Sequence, residues 1–585
     1  MRIRKYGLTT LVAALALATA CADDSPADTS SGMTDDSTST DEETSADTTE
    51  STTDTTTAET TGDGDGDGDG DGDGDSLTVI ASTPDAGGIR AAYDVAPTFV
   101  FNEPIDSANF DLSNFRLEGP DGSDVPGTIE AVGTNLTFNP NVTLEAGATY
   151  TLTVEPPVET STGATLGAPI QRTFTTAWID VAAGGQHIIA LSAEGSVVAW
   201  GDSSAGQSGT GSTGSALPPT PVCAEGETSP CPGQLKNIRA IAVGQSHTLA
   251  LTDDGRVLGW GLNSGASIGV GDEDPRPYPT PVSGVGGGGQ LTNIVAIAAA
   301  GDSSMAIDIE GSLYAWGDNS NGQLGVGIAT KVASPTPVCA PGQSVPCSTP
   351  FTGVKAISMS PTHTLAIASD DRVYAWGSND SGELGIGTNS PANVPTLTCE
   401  TSEQPPCTLG VEATKIEAGN AFSACFPFTG ELLTWGLDDV GQLGRAGVGT
   451  TNRPSSECGG AQTGDCVSAL ADIRELDFGF DHGHLRLQNG IVYSWGQNAS
   501  GSLGVGSTMN SGEALPVVQG GGLPLTNVKW LGQSSESTVF VVMSDGTVRG
   551  FGGNSNGELA QSSPELCNLD GCATQAVLIP GVDLF

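Results

Sequence analysis

One cassette returns seven times along the chain, and it limits the fold more than any other feature. It reads roughly G-x-x-H-T-L-A-L, then D-G-x-V-x-x-W-G-x-N-x-x-G-Q-L-G, and its clearest copies lie at 244–269 and 311–327. The Trp-Gly landmarks are Trp200, Trp260, Trp316, Trp376, Trp435 and Trp495, with Phe551 in the last copy, at intervals of 60, 56, 60, 59, 60 and 56 residues. A fixed period of this length marks a repeat architecture, whose single unit cannot bury its apolar face alone. Within a copy, β-branched runs such as Ile241-Ala242-Val243 and His247-Thr248-Leu249 flank Asp254-Gly255. Asp-Gly between two β-type runs predicts a tight hairpin. Each copy therefore predicts a small antiparallel sheet of four strands, and seven such sheets set radially make a β-propeller with short, protected edges.

These residues carry a family resemblance. The pattern is similar to the repeat of the regulator of chromosome condensation family, which are seven-bladed propellers, and it covers 178–585. Some copies drift: the position of His187, His247, His363 and His482 reads as Ser304 in the third copy, Phe422 in the fifth and Ser535 in the seventh.

The segments before the propeller differ sharply in composition. Residues 1–21 hold Arg2, Arg4 and Lys5, an apolar run and a small-residue stretch before Cys21, the layout of a secretory signal. The stretch resembles a bacterial lipobox, although Ala18 stands where Leu is usual. That resemblance implies a lipid attached to Cys21 and, because Ala22 replaces the inner-membrane retention Asp, an outer-membrane lipoprotein facing the exterior or the periplasm. Residues 22–76 are an acidic Ser/Thr/Asp/Gly linker with 19 carboxylates and no Lys or Arg. Such a segment cannot bury enough surface to offset ordering entropy, so a disordered tether is expected. Residues 77–176 alternate as half-buried strands, as in Thr98-Phe99-Val100-Phe101 and Tyr150-Thr151-Leu152-Thr153-Val154. With Phe138-Asn139-Pro140 and Thr173-Phe174-Thr175 they resemble the bacterial Ig-like domain of S-layer-associated proteins, a spacer or adhesion module. The predicted fold class is thus all-β: a small Ig-like β-sandwich (77–176), then a seven-bladed propeller (177–585), with the chain's last strand expected to pair with the first blade and close the ring.

Charge and cysteine spacing bound the partners. Residues 77–585 hold 50 acids against 17 bases. A surface of that sign repels phosphate backbones, which excludes nucleic acid as a partner. The pairs Cys223/Cys231, Cys339/Cys347, Cys399/Cys407 and Cys458/Cys466 each enclose seven residues, and Cys567/Cys572 follows at the same phase. Repeated close pairs in an exported chain read as local disulfides rather than zinc ligands. Cys425 occupies the phase of Ala250 and Ala366, a core position.

No catalytic constellation, metal site or cofactor motif emerges. The histidines share one repeat phase, so in a radial array they sit in different blades, and a hydrogen bond within each blade is their expected role. His482 and His484 could face one side of a strand but lack a third ligand. The acidic doublets Asp253-Asp254, Asp370-Asp371 and Asp438-Asp439 read as turns. The expected function is a surface-tethered, non-enzymatic binding or adhesion scaffold for a protein or envelope ligand, held to the membrane by its lipid alone. Two alternatives stand beside it. One is an exported inhibitor of an enzyme, in the manner of β-lactamase-inhibiting members of this propeller family; the other is an extracellular hydrolase.

Overall fold

The computed structural model describes residues 76–585 apart from 92–94, 106–113, 121, 143, 146, 161, 229, 344–345, 446–448, 457–465, 562–564 and 568–569. The signal segment with Cys21, nearly all of the linker, and Cys458 lie outside the described residues. No helix among the described residues is long and apolar enough to cross a membrane.

The N-terminal unit is a sandwich of two four-stranded sheets. One orders β1 (Val79–Thr83), β3 (Thr98–Phe101), β6 (Asn135–Pro140) and β5 (Gly127–Val132); the other orders β2 (Gly88–Ala91), β8 (Ile170–Thr176), β7 (Thr149–Val154) and β4 (Phe115–Glu118). Alternation puts Phe99, Phe101, Phe115, Leu136, Phe138, Tyr150, Leu152 and Phe174 inward as one core. The unit meets the propeller at Trp178. Gly147, at φ +61°, donates its N–H to Ala177 O at 2.8 Å, and a Cβ there would fall 2.3 Å from the Trp178 ring.

Seven sheets follow. Blade 1 consists of Asp180–Ala183, His187–Leu191, Val197–Gly201 and Leu217–Pro221, ordered from the axis outward. Blades 2 to 6 span 238–281, 294–337, 354–397, 413–455 and 473–516 and repeat this order. The first strands pack on one another round the ring, which places them innermost. The six landmark tryptophans are fully buried, each in the wedge between two sheets. Their rings supply much of the apolar area that one blade cannot cover alone. The outermost strands are proline-bearing, as in Arg276–Pro281 and Val332–Pro337, which blunts a free edge against pairing with other chains.

Closure differs from the expectation. The last strand, Asp570–Asp583, pairs with Thr547–Gly553 and completes blade 7 itself, not blade 1. The seam is instead closed near the axis. The segment joining the first two strands of blade 7 (Val528–Leu531 and Thr538–Met543) carries one residue more than that of blade 2, since Val528 pairs with Met543 where Ile238 pairs with Thr252. Its Gln533 accepts a hydrogen bond from Ala183 N and donates one to Val181 O. Apolar packing of Ile179, Val181, Trp200, Trp530 and Phe540 fills the wedge behind it.

Candidate functional site: blade seams and a disulfide-braced rim

The cassette's polar residues first build a loop and then a seam. In blade 3, Asn319 Oδ1 accepts from Leu324 N at 2.9 Å while its Nδ2 donates to Ile328 O. Gln323 Oε1 accepts from Asn321 N at 2.9 Å and its Nε2 donates to Asp318 Oδ2 at 2.9 Å. These bonds satisfy a turn that buries backbone polar groups. They also aim the Gln323 carbonyl at blade 4, where it accepts from Trp376 Nε1 at 2.8 Å and Thr364 Oγ1 at 2.9 Å. The same double acceptance recurs at Gln207 O (Trp260, Thr248), Ser267 O (Trp316, Ser304) and Glu383 O (Trp435, Ser423). Trp495 donates to Gln442 O at 2.9 Å, and Trp200 to Glu558 O at 2.6 Å across the closing seam.

The histidines belong to this arrangement, and their partners lie in the following blade, not in their own as expected. His187 Nε2 meets Thr248 Oγ1 at 3.0 Å, His247 Nε2 meets Ser304 Oγ at 2.9 Å, and His363 Nε2 meets Ser423 Oγ at 2.8 Å. Each hydroxyl already donates to a carbonyl, so it accepts from the imidazole, which assigns the neutral Nε2–H tautomer. Burial holds all three imidazoles down to about 3. Strand register also corrects the phase. Ser303, opposite Gly317, and Thr538, opposite Gly552, occupy the histidine position, not Ser304 and Ser535.

Blades 5 to 7 depart from the pattern in matched pairs. Phe422 replaces His in blade 5, and Gly483 removes the hydroxyl it would have met in blade 6; Phe422 and Phe478 pack instead, with ring centroids 4.6 Å apart. A Cβ on Gly483 would lie 2.4 Å from Trp495 Cζ2, so the indole has taken the vacated space. Phe551 cannot donate to Ser502 O as a tryptophan would. His484 does so through Nε2 at 3.0 Å, from blade 6 itself, with its ring edge-on to Phe551 at 5.8 Å. His482 faces the aliphatic Val539 phase and has neither ring nitrogen bonded. Burial, then the neighbouring His484, pushes it well below the usual imidazole range. His482 and His484 are therefore near neighbours, with ring centroids 5.1 Å apart. Among the described residues no group of three or more His, Cys, Asp or Glu could hold a metal. Cys425 is fully buried, and burial pushes its thiol up, away from nucleophilic use.

The rim is built by the connections between blades. Cys223–Cys231, Cys339–Cys347 and Cys399–Cys407 are disulfide-bonded, and Cys466 and Cys572 are bonded as well. Cys567 ends a short strand, Glu565–Cys567, that pairs with Asp570–Asp583. A second brace was missed in the sequence reading, although a C-x-x-x-[EQ]-x-x-x-C spacing shows it. The residue four after the first cysteine caps the loop's own N–H groups. Glu227 Oε2 accepts from Gly233 N at 2.8 Å, and Gln343 Oε1 accepts from Ser348 N at 3.4 Å and from its Oγ at 3.2 Å. Glu403 accepts from Thr408, Leu409 and Gly410 N–H groups, which hold its carboxyl down to about 2. The first loop also reaches the next blade's hairpin turn, where Glu225 pairs with Arg256 at 2.9 Å. At that end of the blades Leu409 and Phe428 stand exposed.

Comparison with known proteins agrees with this geometry. A family described as RCC1-like domain matches residues 153–457, and one described as Bacterial Ig-like domain matches residues 73–176. The chain is 29% identical over 346 residues to the mouse (Mus musculus) E3 ubiquitin-protein ligase HERC2, covering 58% of this chain and 6% of the ligase. It is 27% identical over 340 residues to the Arabidopsis thaliana ultraviolet-B receptor UVR8, covering 56% of this chain and 67% of the receptor. Among solved structures, human WBSCR16 superposes with a TM-score of 0.49 at 18% identity, covering 65% of this chain and 92% of that one. Yeast RCC1 (Prp20) bound to Kap60 gives 0.48 at 16% identity, covering 69% and 85%. With more than half of its length matched and six of the seven seams clamped through the cassette's own tryptophans, the chain belongs to the RCC1-like domain family.

Proposed function

We propose that the propeller is a protein-interaction scaffold whose binding face is the rim of braced connections, and that it acts without catalysis. The observation that carries this is the double bracing of loops that the blades do not need. After blade 2 the same connection is the glycine run Gly286–Gly289, without cysteines, and the blades on either side keep their strand order. A loop locked by a disulfide and an internal carboxylate or amide cap loses little freedom on binding, so its contacts convert to affinity. The exposed Leu409 and Phe428 add apolar contact at the same end. The histidines that invited a catalytic reading are engaged or enclosed in seams, out of reach of a substrate. In this reading the Ig-like unit is a spacer, the acidic segment a stalk and Cys21 a lipid anchor in the cell envelope.

Affinity capture on the disulfide-intact propeller, using envelope and culture proteins, tests the proposal. A partner retained on the native protein and released when the braces are reduced is the expected result. Turnover of a glycan or peptide panel with no retained protein would replace the scaffold with a hydrolase.

A further inference from the structure

Carboxylates dominate this chain, with 69 acidic residues against 20 basic ones, and among the described residues four arginines are ion-paired. Arg116 pairs with Glu155 at 2.7 Å, Arg276 with Asp272 at 2.6 Å, and Arg486 with Glu475 at 2.9 Å. Arg453, on the outermost strand of blade 5 (Thr451–Ser455), has no such pair, as is also true of Arg239 and Arg549 among the described residues. Among the described residues no carboxylate lies within ion-pair distance of it. One terminal nitrogen donates to the amide oxygen of Gln404 at 3.2 Å, and its buried Nε has no partner.

This guanidinium lines a cleft of about 580 Å³. Ser381 and Asn389 of blade 4 form one wall and Thr401, in the Cys399–Cys407 loop, another. Asn452 Nδ2 donates to Asn389 Oδ1 at 3.0 Å, which ties blade 5 to blade 4 across the cleft. Gly387 makes the approach possible. It sits at φ +74°, and a Cβ there would lie 3.0 Å from Arg453 Nε and 2.8 Å from Pro405 of the braced loop. Among the described residues the lining holds hydroxyls, amides and one guanidinium, with neither a carboxylate nor an aromatic ring.

We infer that this cleft binds a small saccharide bearing a carboxylate, a sugar of the uronate type. A guanidinium free of protein carboxylates offers charge-assisted bonds to an incoming one, while Ser, Thr and Asn side chains match ring hydroxyls. The volume lies in the range of small-ligand sites. With no aromatic platform, a neutral sugar would have only hydrogen bonds to exchange against water, so the carboxylate decides recognition. A single guanidinium balances the one charge of a carboxylate, whereas a phosphate dianion would be left half-compensated there. The inference goes beyond the scaffold reading and does not depend on it.

Titration of the full chain with a galacturonate disaccharide, its neutral galactose counterpart and inorganic phosphate tests it. The acidic sugar should bind at least about tenfold tighter than the neutral one. Arg453→Ala should erase that difference at an unchanged melting temperature, and Arg453→Lys should keep part of it. If Arg453→Ala fails to fold, Thr401→Val takes its place and should weaken the acidic sugar several-fold. Equal affinity for both sugars, no binding of the acidic sugar up to ~20 mM, phosphate binding as tightly, or an Arg453→Ala protein indistinguishable from the parent would each overturn the assignment.

Discussion

His484 and Phe551 show how one residue's departure from the repeat is answered by another. In six blades an indole N–H satisfies the carbonyl of the preceding blade, while in the seventh a histidine borrowed from blade 6 does so. His484→Leu should cost about 1–3 kcal/mol, because Ser502 O is left buried without a donor. Phe551→Trp alone should also destabilise, since the His484 ring packed edge-on against Phe551 leaves no room for the larger indole. The double variant restores the pairing of the other six seams, so a denaturant-melt cycle should give a coupling of about 2 kcal/mol; additive losses would mean the two residues do not share an acceptor. The tryptophans were readable because a landmark every 56 to 60 residues needs only counting. The hydroxyl partners were not, since they depend on which strand position faces the next blade. The doublet Ser303-Ser304 looks the same in either phase. In blade 7 the histidine phase falls on Thr538, not Ser535, and the first strand stops at Leu531, which leaves Gln533 to reach across to blade 1.

At the scale of the element, the seams hold the molecule's five histidines, all fully buried. Their folded pKa values lie below the unfolded value of 6.5: about 3 for His187, His247 and His363, about 4 for His484, and lower as well for His482. The unfolded chain therefore takes up protons first as pH falls. The contribution of these residues is complete above pH 6.5 and is lost as pH falls toward about 4 and then 3. Between pH 6.5 and about 5 each removes roughly 2 kcal/mol. Imidazole NMR signals should stay at their neutral positions from pH 7.5 to about 5 while the melting temperature falls. A histidine that titrates near 6.5 in the folded protein would contradict the seam assignment. The connecting elements were half legible. The cysteine spacing announced a short covalent loop, whereas the capping role of Glu227, Gln343 and Glu403 is hidden because a carboxylate in a polar loop looks like any solvated charge.

Over the whole molecule, two kinds of conserved-looking pattern within one repeat separate cleanly by what they hold together. The Trp, Asn, Gln and His positions close seven sheets into a ring, and their chemistry is spent on backbone groups and neighbouring hydroxyls. The braced connections are held mainly by their own disulfides and caps, with single contacts to the next blade from Glu225 to Arg256, Gly342 to Pro395 O and Gln404 to Arg453, and so are free to meet a partner. Closure escaped the sequence reading for a topological reason: the last strand has the same pattern whether it completes blade 7 or joins blade 1, and only the turn around Gln533 distinguishes them. The most direct test of this division is to replace residues 399–410 with the glycine connection of 283–290 and measure melting and partner capture together. The account predicts a melting temperature within a few degrees of the parent, since a disulfide of this loop length contributes about 2–3 kcal/mol, and loss of the captured partner. A ring that no longer folds, or a partner held as tightly as before, would contradict it.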